Sequence, residues 1–388
     1  MPLEPRIDLP VILLVLGVIQ GLFLAFLIFT RPQKLQRGHK FLGLFLLSFS
    51  LMSIEDILFE TRYILRYPYM INTLTLLIFT LAPSLYFYTK AMTSGSFRFG
   101  WKQALHYLPF ALIVLLSVPE MLGPNELKLR EVQAYYARGD YYFNFSILIP
   151  MLQISIYFAV IVRLLVRHRR KIRKSFSYTE GISLRWITTL IALNVVLWLI
   201  WSVVFFTRWT KGLDVLSIAY TLSIYSIGYL GIRQKDIFSS ERSLPAPDEP
   251  TDPGEPAAPA RSGKYAKSGL SDEMKKDLSG RLTRLMEEQK PYLDAGLTLP
   301  RLATLLEVSV NHLSQIINTE LGDNFYNFVN KYRLEEVKKL LADPRKSNYT
   351  ILALAFEAGF QSKSAFNAFF KKSLGCSPKE FLASRSAR

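Results

Sequence analysis

The chain has 388 residues, a formal charge of +16 and 50% hydrophobic residues. That combination excludes an ordinary single soluble domain, and the lone cysteine, Cys376, excludes a disulfide framework or a cysteine-built zinc site. The apolar residues gather before residue 235 and the character of the chain changes twice after it.

Seven long apolar runs come first, at about Leu9–Phe29, Phe41–Phe59, Ile71–Tyr88, Trp101–Val118, Phe143–Val166, Trp186–Phe206 and Leu213–Ile232. A helix needs roughly 20 apolar residues to cross a bilayer. Seven such runs in succession could not be covered by the polar sequence available, so the pattern predicts seven transmembrane helices. Trp101–Val118 is the weakest run, with Lys102 and Gln103 at its start and Pro109 inside. No basic segment precedes the first run, and Phe29-Thr30-Arg31 stands where a small-residue cleavage site would be. It is expected to remain as a span and not to be cut off as a signal peptide.

Loop charge sets the orientation. One side of the alternation carries Arg31, Lys34, Arg37, Lys40, Lys90, Arg98, Lys102, Arg163, Arg167, Arg169, Arg170, Lys171, Arg173, Lys174 and Arg185, with Glu180 as its only acid. On the other side, basic and acidic residues balance. The basic side is therefore cytoplasmic, the N-terminus lies outside, and an odd number of spans leaves everything after Ile232 in the cytoplasm. The cluster Arg167–Lys174 follows a span directly, so it reads as a stop-transfer loop against anionic lipid heads and not as a nucleic-acid patch.

A few polar groups fall within the runs. Glu55 and Asp56 lie in the outer third of the second. Intramembrane acids are costly and often functional, so two readings stand: solvation at the interface, or a ligand or gating role. Pro83 is expected to kink the third span, marking a cavity or a simple bend. Gln20, Gln153 and Asn194 are expected to hydrogen-bond between helices.

Between Ser239 and Ser268 stand prolines 245, 247, 250, 253, 256 and 259 with Asp248, Glu249, Asp252 and Glu255. Such a stretch has almost nothing to bury and reads as an extended, acidic, disordered linker.

From Lys264 onward the pattern is that of short soluble helices. Ser271–Glu288 reads as one helix. A first helix-turn-helix follows, through Leu297–Glu307 and then Val310–Leu321, closed by Gly322. Asn324–Leu341 forms a linking helix stopped by Asp343-Pro344. A second helix-turn-helix runs from Thr350 to Ala358, breaks at Gly359-Phe360, and restarts from Ser362 to Ser373, closed by Gly375. Ser309 and Ser362 are placed as N-caps, the glycines as left-handed helix ends, and Ser377-Pro378 as another helix start. Helical spacing turns Leu302, Leu305, Leu306, Leu313, Ile316 and Ile317 inward, with Phe366, Phe369 and Phe370 in the second unit. Asn311, Ser314, Gln315 and Asn318 then face outward in the first unit, and Lys363, Ser364, Asn367 and Ala368 in the second. Neither outward face carries an acid. At 1.5 Å per residue the linking helix spans roughly 27 Å, a length that can hold two recognition helices in successive major grooves, about 34 Å apart.

These features resemble the DNA-binding domain of the AraC/XylS family of bacterial transcription regulators. The residues that carry the resemblance are Tyr332-Arg333-Leu334-Glu335-Glu336, Ile351, Ala355, Ala358-Gly359-Phe360, Ser364, Phe366, Phe370-Lys371-Lys372, Gly375 and Pro378. It covers residues 265 to 385, about a third of the chain. The pattern departs at Phe381-Leu382, where many members carry Tyr-Arg, which removes a basic contact or surface charge and not the fold. Leu81–Lys90 and His106–Phe110 look similar to the membrane portions that precede some such domains.

The resemblance implies base contacts from Asn311, Ser314 and Gln315 and from Lys363, Ser364, Asn367 and Ala368. Asn and Gln can bond adenine and Lys can reach guanine. Lys371 and Lys372 suit phosphates, which position without specifying. Soluble members usually carry a ligand-binding or dimerising domain before this module, so the membrane bundle would take its place.

The expected protein is thus all-α. A seven-span sensory bundle (1–238), a linker (239–268) and a tandem helix-turn-helix domain (269–388) would form a one-component regulator in the bacterial cytoplasmic membrane. Its partners would be double-stranded promoter DNA, the lipid bilayer, a small-molecule or envelope signal, a second copy in a homodimer, and RNA polymerase if the output is activation. Because a slack linker transmits no torque, dimerisation of the bundle or linker cleavage would have to carry the signal. The rival is a receptor or transporter bundle whose helical C-terminus binds a protein. The four histidines (39, 106, 168 and 312) show no metal-ligand spacing, and no phosphate loop, nucleophile elbow or metalloprotease motif is present. No cofactor and no catalytic activity are expected, which leaves an intramembrane enzyme a remote third reading.

Overall fold

The structure, a computed structural model, describes residues 7–30, 38–94, 97–138, 147–178, 184–207, 212–233, 271–346 and 348–386. The expected proline-rich linker, and loop residues Arg31, Lys34, Arg37 and Glu180, lie outside the described residues. Two compact units emerge, one of Met1–Val166 with Leu184–Glu249, the other of Arg167–Ser183 with Pro250–Arg388.

The first unit is built from α1 (Leu9–Thr30), α2 (His39–Glu60), α3 (Ile78–Thr93), α4 (Trp101–Ala104), α5 (Leu108–Met121), α6 (Asn125–Arg138), the main length of α7 (Leu148–Ser175), α8 (Arg185–Thr207) and α9 (Gly212–Arg233). Six helical stretches among the described residues are long and apolar enough to cross a bilayer. The seventh expected run is helical as α9, but its described apolar portion, Val215–Ile227, is shorter.

Small residues bring α1 close to its neighbours. A Cβ on Gly17 would meet Thr221 Oγ1 at 3.1 Å, and Thr221 Oγ1 donates to the Leu13 carbonyl at 3.0 Å. A Cβ on Gly21 would collide with Ser50 Oγ. Backbones packed this closely gain dispersion contact between the helices.

Pro83 lies inside α3 and has no N–H for the Phe79 carbonyl four residues back. Gln153 Nε2, on α7, donates to that carbonyl at 3.2 Å, which bears out its expected interhelical role. Asn194 differs from expectation: its Nδ2 donates to Leu190 O in its own helix, at 2.9 Å.

Two other features depart from the sequence reading. The third run does not start as an α-helix at Ile71; 3-10 turns at Tyr63–Leu65, Pro68–Met70 and Thr75–Leu77 precede α3. Glu55 holds the start of the last of them. Its side chain is 1% exposed and accepts from the N–H groups of Asn72 (2.6 Å), Leu74 (2.8 Å) and Thr75 (2.8 Å). It caps the backbone at 72–75, just ahead of α3, and Asp56 is partly buried beside it. The second departure is α6, in what read as an outer loop. Tyr136 there donates to the Phe59 carbonyl, and Val132 packs with Ile64 and Ile71 over the end of α2.

The second unit holds α10 (Asp272–Glu288), α11 (Leu299–Leu305), α12 (Val310–Thr319), α13 (Phe325–Ala342), α14 (Ile351–Glu357), α15 (Lys363–Leu374) and α16 (Pro378–Ser386). Among the described residues its one β-type pairing is an isolated antiparallel bridge, Phe176 with Thr298. Two cores form in it. Leu282, Met286, Leu302, Leu313, Ile316 and Val329 belong to the first, and Leu334, Val337, Ala355, Phe360, Phe366 and Phe370 to the second. Helix α13 serves both, with its first half in one and its second half in the other.

Candidate nucleic-acid interface

Each helix-turn-helix is set by side-chain caps. Thr298, Ser309, Thr350 and Ser362 accept from the backbone N–H three residues on, at 3.4, 3.1, 3.2 and 3.2 Å. Such caps satisfy otherwise orphaned donors and contribute about 1 kcal/mol each. The turn ladders of the two units match. In the first, Val308 N–H donates to Ala303 O and Glu307 N–H to Thr304 O; in the second, Phe360 N–H donates to Ala355 O and Gly359 N–H to Phe356 O. The left-handed residue is Glu307 (φ 58°) in one and Gly359 (φ 93°) in the other. Gly322 and Gly375 are left-handed too, as expected. Before α16, Ser377 and Glu380 cap one another across Pro378, and the hydrogen bond from the Ser377 N–H holds the Glu380 carboxyl below its ordinary range.

The second recognition helix matches its sequence reading residue for residue. Lys363, Ser364, Asn367, Ala368, Lys371 and Lys372 are exposed, while Phe366, Phe369 and Phe370 are buried. Phe381 stacks edge-on against Phe370, so the departure from the family pattern there still fills the core.

The first recognition helix matches only in part. Asn311 is exposed, and Ser314 and Asn318 are half-buried, with Asn318 Nδ2 donating to Ser314. Gln315, expected on the outer face, is 4% exposed. Helices α10, α11 and α13 all pack against α12. That leaves a narrow solvent arc through Asn311, Ser314 and Asn318, and Gln315 falls outside it. Leu305 errs the other way: expected in the core, it is 47% exposed. The buried stripe of α11 starts at Leu299 and continues through Leu302, Ala303 and Leu306, which turns Leu305 away.

Between the two helix-turn-helix units lies a feature the sequence reading missed. Arg333 is 1% exposed, and desolvation pulls its guanidinium down to about 10. Its partners are neutral oxygens: the carbonyls of Tyr292 (2.8 Å), Asp294 (2.8 Å) and Ser177 (3.1 Å), the Ser177 hydroxyl (3.1 Å) and Asn330 Oδ1 (3.3 Å). Leaving any buried donor unmatched costs about 1–3 kcal/mol. Glu336, one turn on, accepts from Lys290 Nζ (3.2 Å) and Tyr292 OH (3.1 Å), and Tyr332 stacks on Tyr292. The Tyr-Arg-Leu-Glu-Glu segment thus clamps the linking helix to the turn at Pro291–Leu293. Gly359 closes on the same place, since a Cβ there would stand 2.3 Å from Tyr292 O, 2.9 Å from Leu293 O and 3.0 Å from Arg333 Nε. Among the described residues no cluster of His, Cys, Asp and Glu has the makings of a metal site.

Two capped helix-turn-helix units on one linking helix define the class of nucleic-acid-binding helix-turn-helix folds. Residues 302–384 match a family described as "Helix-turn-helix domain". Over 88 residues, 23% of this chain, the sequence is 31% identical to the melibiose operon regulatory protein of Escherichia coli strain K12, and equally to its counterpart in strain O6:H1. The match covers 28% of each relative, so the chain spans less than a third of the curated relatives it matches. No solved structure matches. The C-terminal domain is an AraC-type helix-turn-helix domain.

Proposed function

We propose that the chain is a membrane-bound one-component transcription regulator, whose AraC-type domain binds promoter DNA under the control of its membrane helices. The observation that carries this reading is the pair of capped recognition helices. They present Asn311 and Ser314 in one unit and Lys363, Ser364, Asn367 and Ala368 in the other on acid-free faces, with Lys371 and Lys372 beside them. Asn367 and Lys363 are suited to base edges, and Lys371 and Lys372 to phosphates. The excess of basic residues in alternate loops supports a cytoplasmic DNA-binding domain and an outside N-terminus, with α9 as the seventh span. The bundle would detect a small-molecule or envelope signal. Its further partners would be the bilayer, a second copy in a homodimer, and RNA polymerase where the output is activation.

The test is duplex binding by the full chain in lipid nanodiscs, over a salt series, with fragments of its own genome. Lys371→Ala or Lys372→Ala should weaken binding on every sequence and lower the salt slope by about 1. Asn367→Ala should relax the sequence preference at one position, by about 1–3 kcal/mol. Duplex binding that is absent, or independent of salt, would contradict the reading.

A further inference from the structure

We infer that the segment Phe176–Ser177, which directly continues helix α7, is the contact through which the membrane helices set the state of the tandem helix-turn-helix, by occupying the hinge of the linking helix at Asn330 and Arg333. The inference rests on the membrane-bound regulator reading above and adds its route of control.

A guanidinium carries five N–H bonds. Arg333 directs three of them to Tyr292 O, Asp294 O and Asn330 Oδ1. The other two go to a single residue, Ser177: one to its carbonyl and one to its hydroxyl, both at 3.1 Å. Asn330 Nδ2 donates to the same carbonyl at 3.0 Å. Ser177 donates in turn to the Leu297 carbonyl, from its backbone N–H at 3.3 Å and its hydroxyl at 2.6 Å. Phe176 forms the antiparallel bridge to Thr298, the N-cap of α11. Ser177, Asn330 and Arg333 are all buried. One serine therefore completes the hydrogen bonding of a buried cation and also holds the start of the first helix-turn-helix.

The position of the contact gives it leverage. Arg333 and Asn330 lie where α13 passes from the first core, at Phe328 and Val329, to the second, at Leu334 and Val337. Arg333 Nε also borders Gly359, in the turn of the second unit. Releasing Ser177 would strip Arg333 of two acceptors and Asn330 of one, all at this hinge. The hinge would then favour an arrangement that recovers those bonds, which is what a two-state element requires.

Helix α7 supplies the drive. It is continuous over 28 residues and ends at Ser175, one residue before the bridge. The nine residues from Arg167 to Ser175 extend it by roughly 13 Å past its apolar part. Displacement of that helix reaches Ser177 without passing through the proline-rich segment, so a slack linker is no obstacle.

The test uses the full chain in its own membranes, with Cys376→Ser removing the native thiol and Phe176→Cys with Thr298→Cys placed across the bridge. Opposed residues of an antiparallel pair have Cβ atoms about 4.5–5.5 Å apart, near disulfide reach. Mild oxidation should link the two cysteine peptides, as read by mass spectrometry. Chromosomal crosslinking should then show the oxidised protein held at one level of DNA occupancy, about fivefold or more away from Ser177→Pro, which breaks the contact. Reduction should return the linked protein to the level it had before oxidation, an internal control for folding. No disulfide, or equal occupancy in the linked, reduced and Ser177→Pro proteins, would overturn the inference. A wild-type protein without discrete DNA sites would instead overturn the regulator reading beneath it.

Discussion

The two helix-turn-helix units end their first helices with the same pair of backbone hydrogen bonds, yet place Glu307 at the left-handed position in one and Gly359 in the other. The difference separates two demands that a turn glycine usually meets together. Glu307 meets only the dihedral demand. Its side chain is exposed, and the left-handed conformation costs a residue with a Cβ on the order of 1 kcal/mol. At Gly359 there is no room, because the carbonyls of Tyr292 and Leu293 and the Arg333 side chain fill the place of a Cβ. The first turn is a local structure. The second is also a joint, pressed against the clamp that fixes the linking helix.

This contrast can be broken at several points. The largest effect is expected from Phe366→Ala, which empties the centre of the second core and should cost about 3–5 kcal/mol. Hydrogen exchange on the full protein should show protection lost over 354–370 but kept over 302–317, because the two cores are separate. Gly359→Ala should cost about 3 kcal/mol through strain and overpacking. Unlike Phe366→Ala, it should also speed exchange at 292–297, on the far side of the joint. Protection unchanged at 292–297 would mean that the joint yields without cost. Ser309→Ala and Ser362→Ala should each cost about 1 kcal/mol, confined to the first turn of α12 or α15. The smallest effect is expected from Glu307→Gly, which relieves the left-handed strain and should gain up to about 1 kcal/mol. A loss there would show that Glu307 does more than tolerate its dihedral.

Much of the DNA-binding domain was legible from sequence because its signals are local. A hydroxyl three residues before the amide it caps, a glycine after a helix and a phenylalanine stripe at 366, 369 and 370 all act within one or two turns. The failures came where the deciding partner is distant. Gln315 sits on the polar side of its own helix, but the packing of three other helices, α10 among them, decides which part of that side meets solvent. Leu305 lies in a run of leucines that allows more than one helical stripe, and the start at Leu299 selects the stripe that excludes it. Glu55 caps backbone 17 to 20 residues further on, and Ser177 meets Arg333 from 156 residues away. No spacing rule reaches that far. The resemblance had marked Tyr332–Glu336 as characteristic without a reason, and the clamp at Pro291–Leu293 supplies one.

The measurement that tests the central claim most directly is a genome-wide map of DNA crosslinked to the full-length protein in its own cells, beside a Lys363→Ala/Asn367→Ala variant. Both side chains are exposed on α15 and neither serves its core, so the variant should fold as the wild type does. The account predicts discrete sites for the wild type that vanish in the variant. The same sites at the same occupancy in both, or no discrete sites for an abundant, folded wild-type protein, would contradict it.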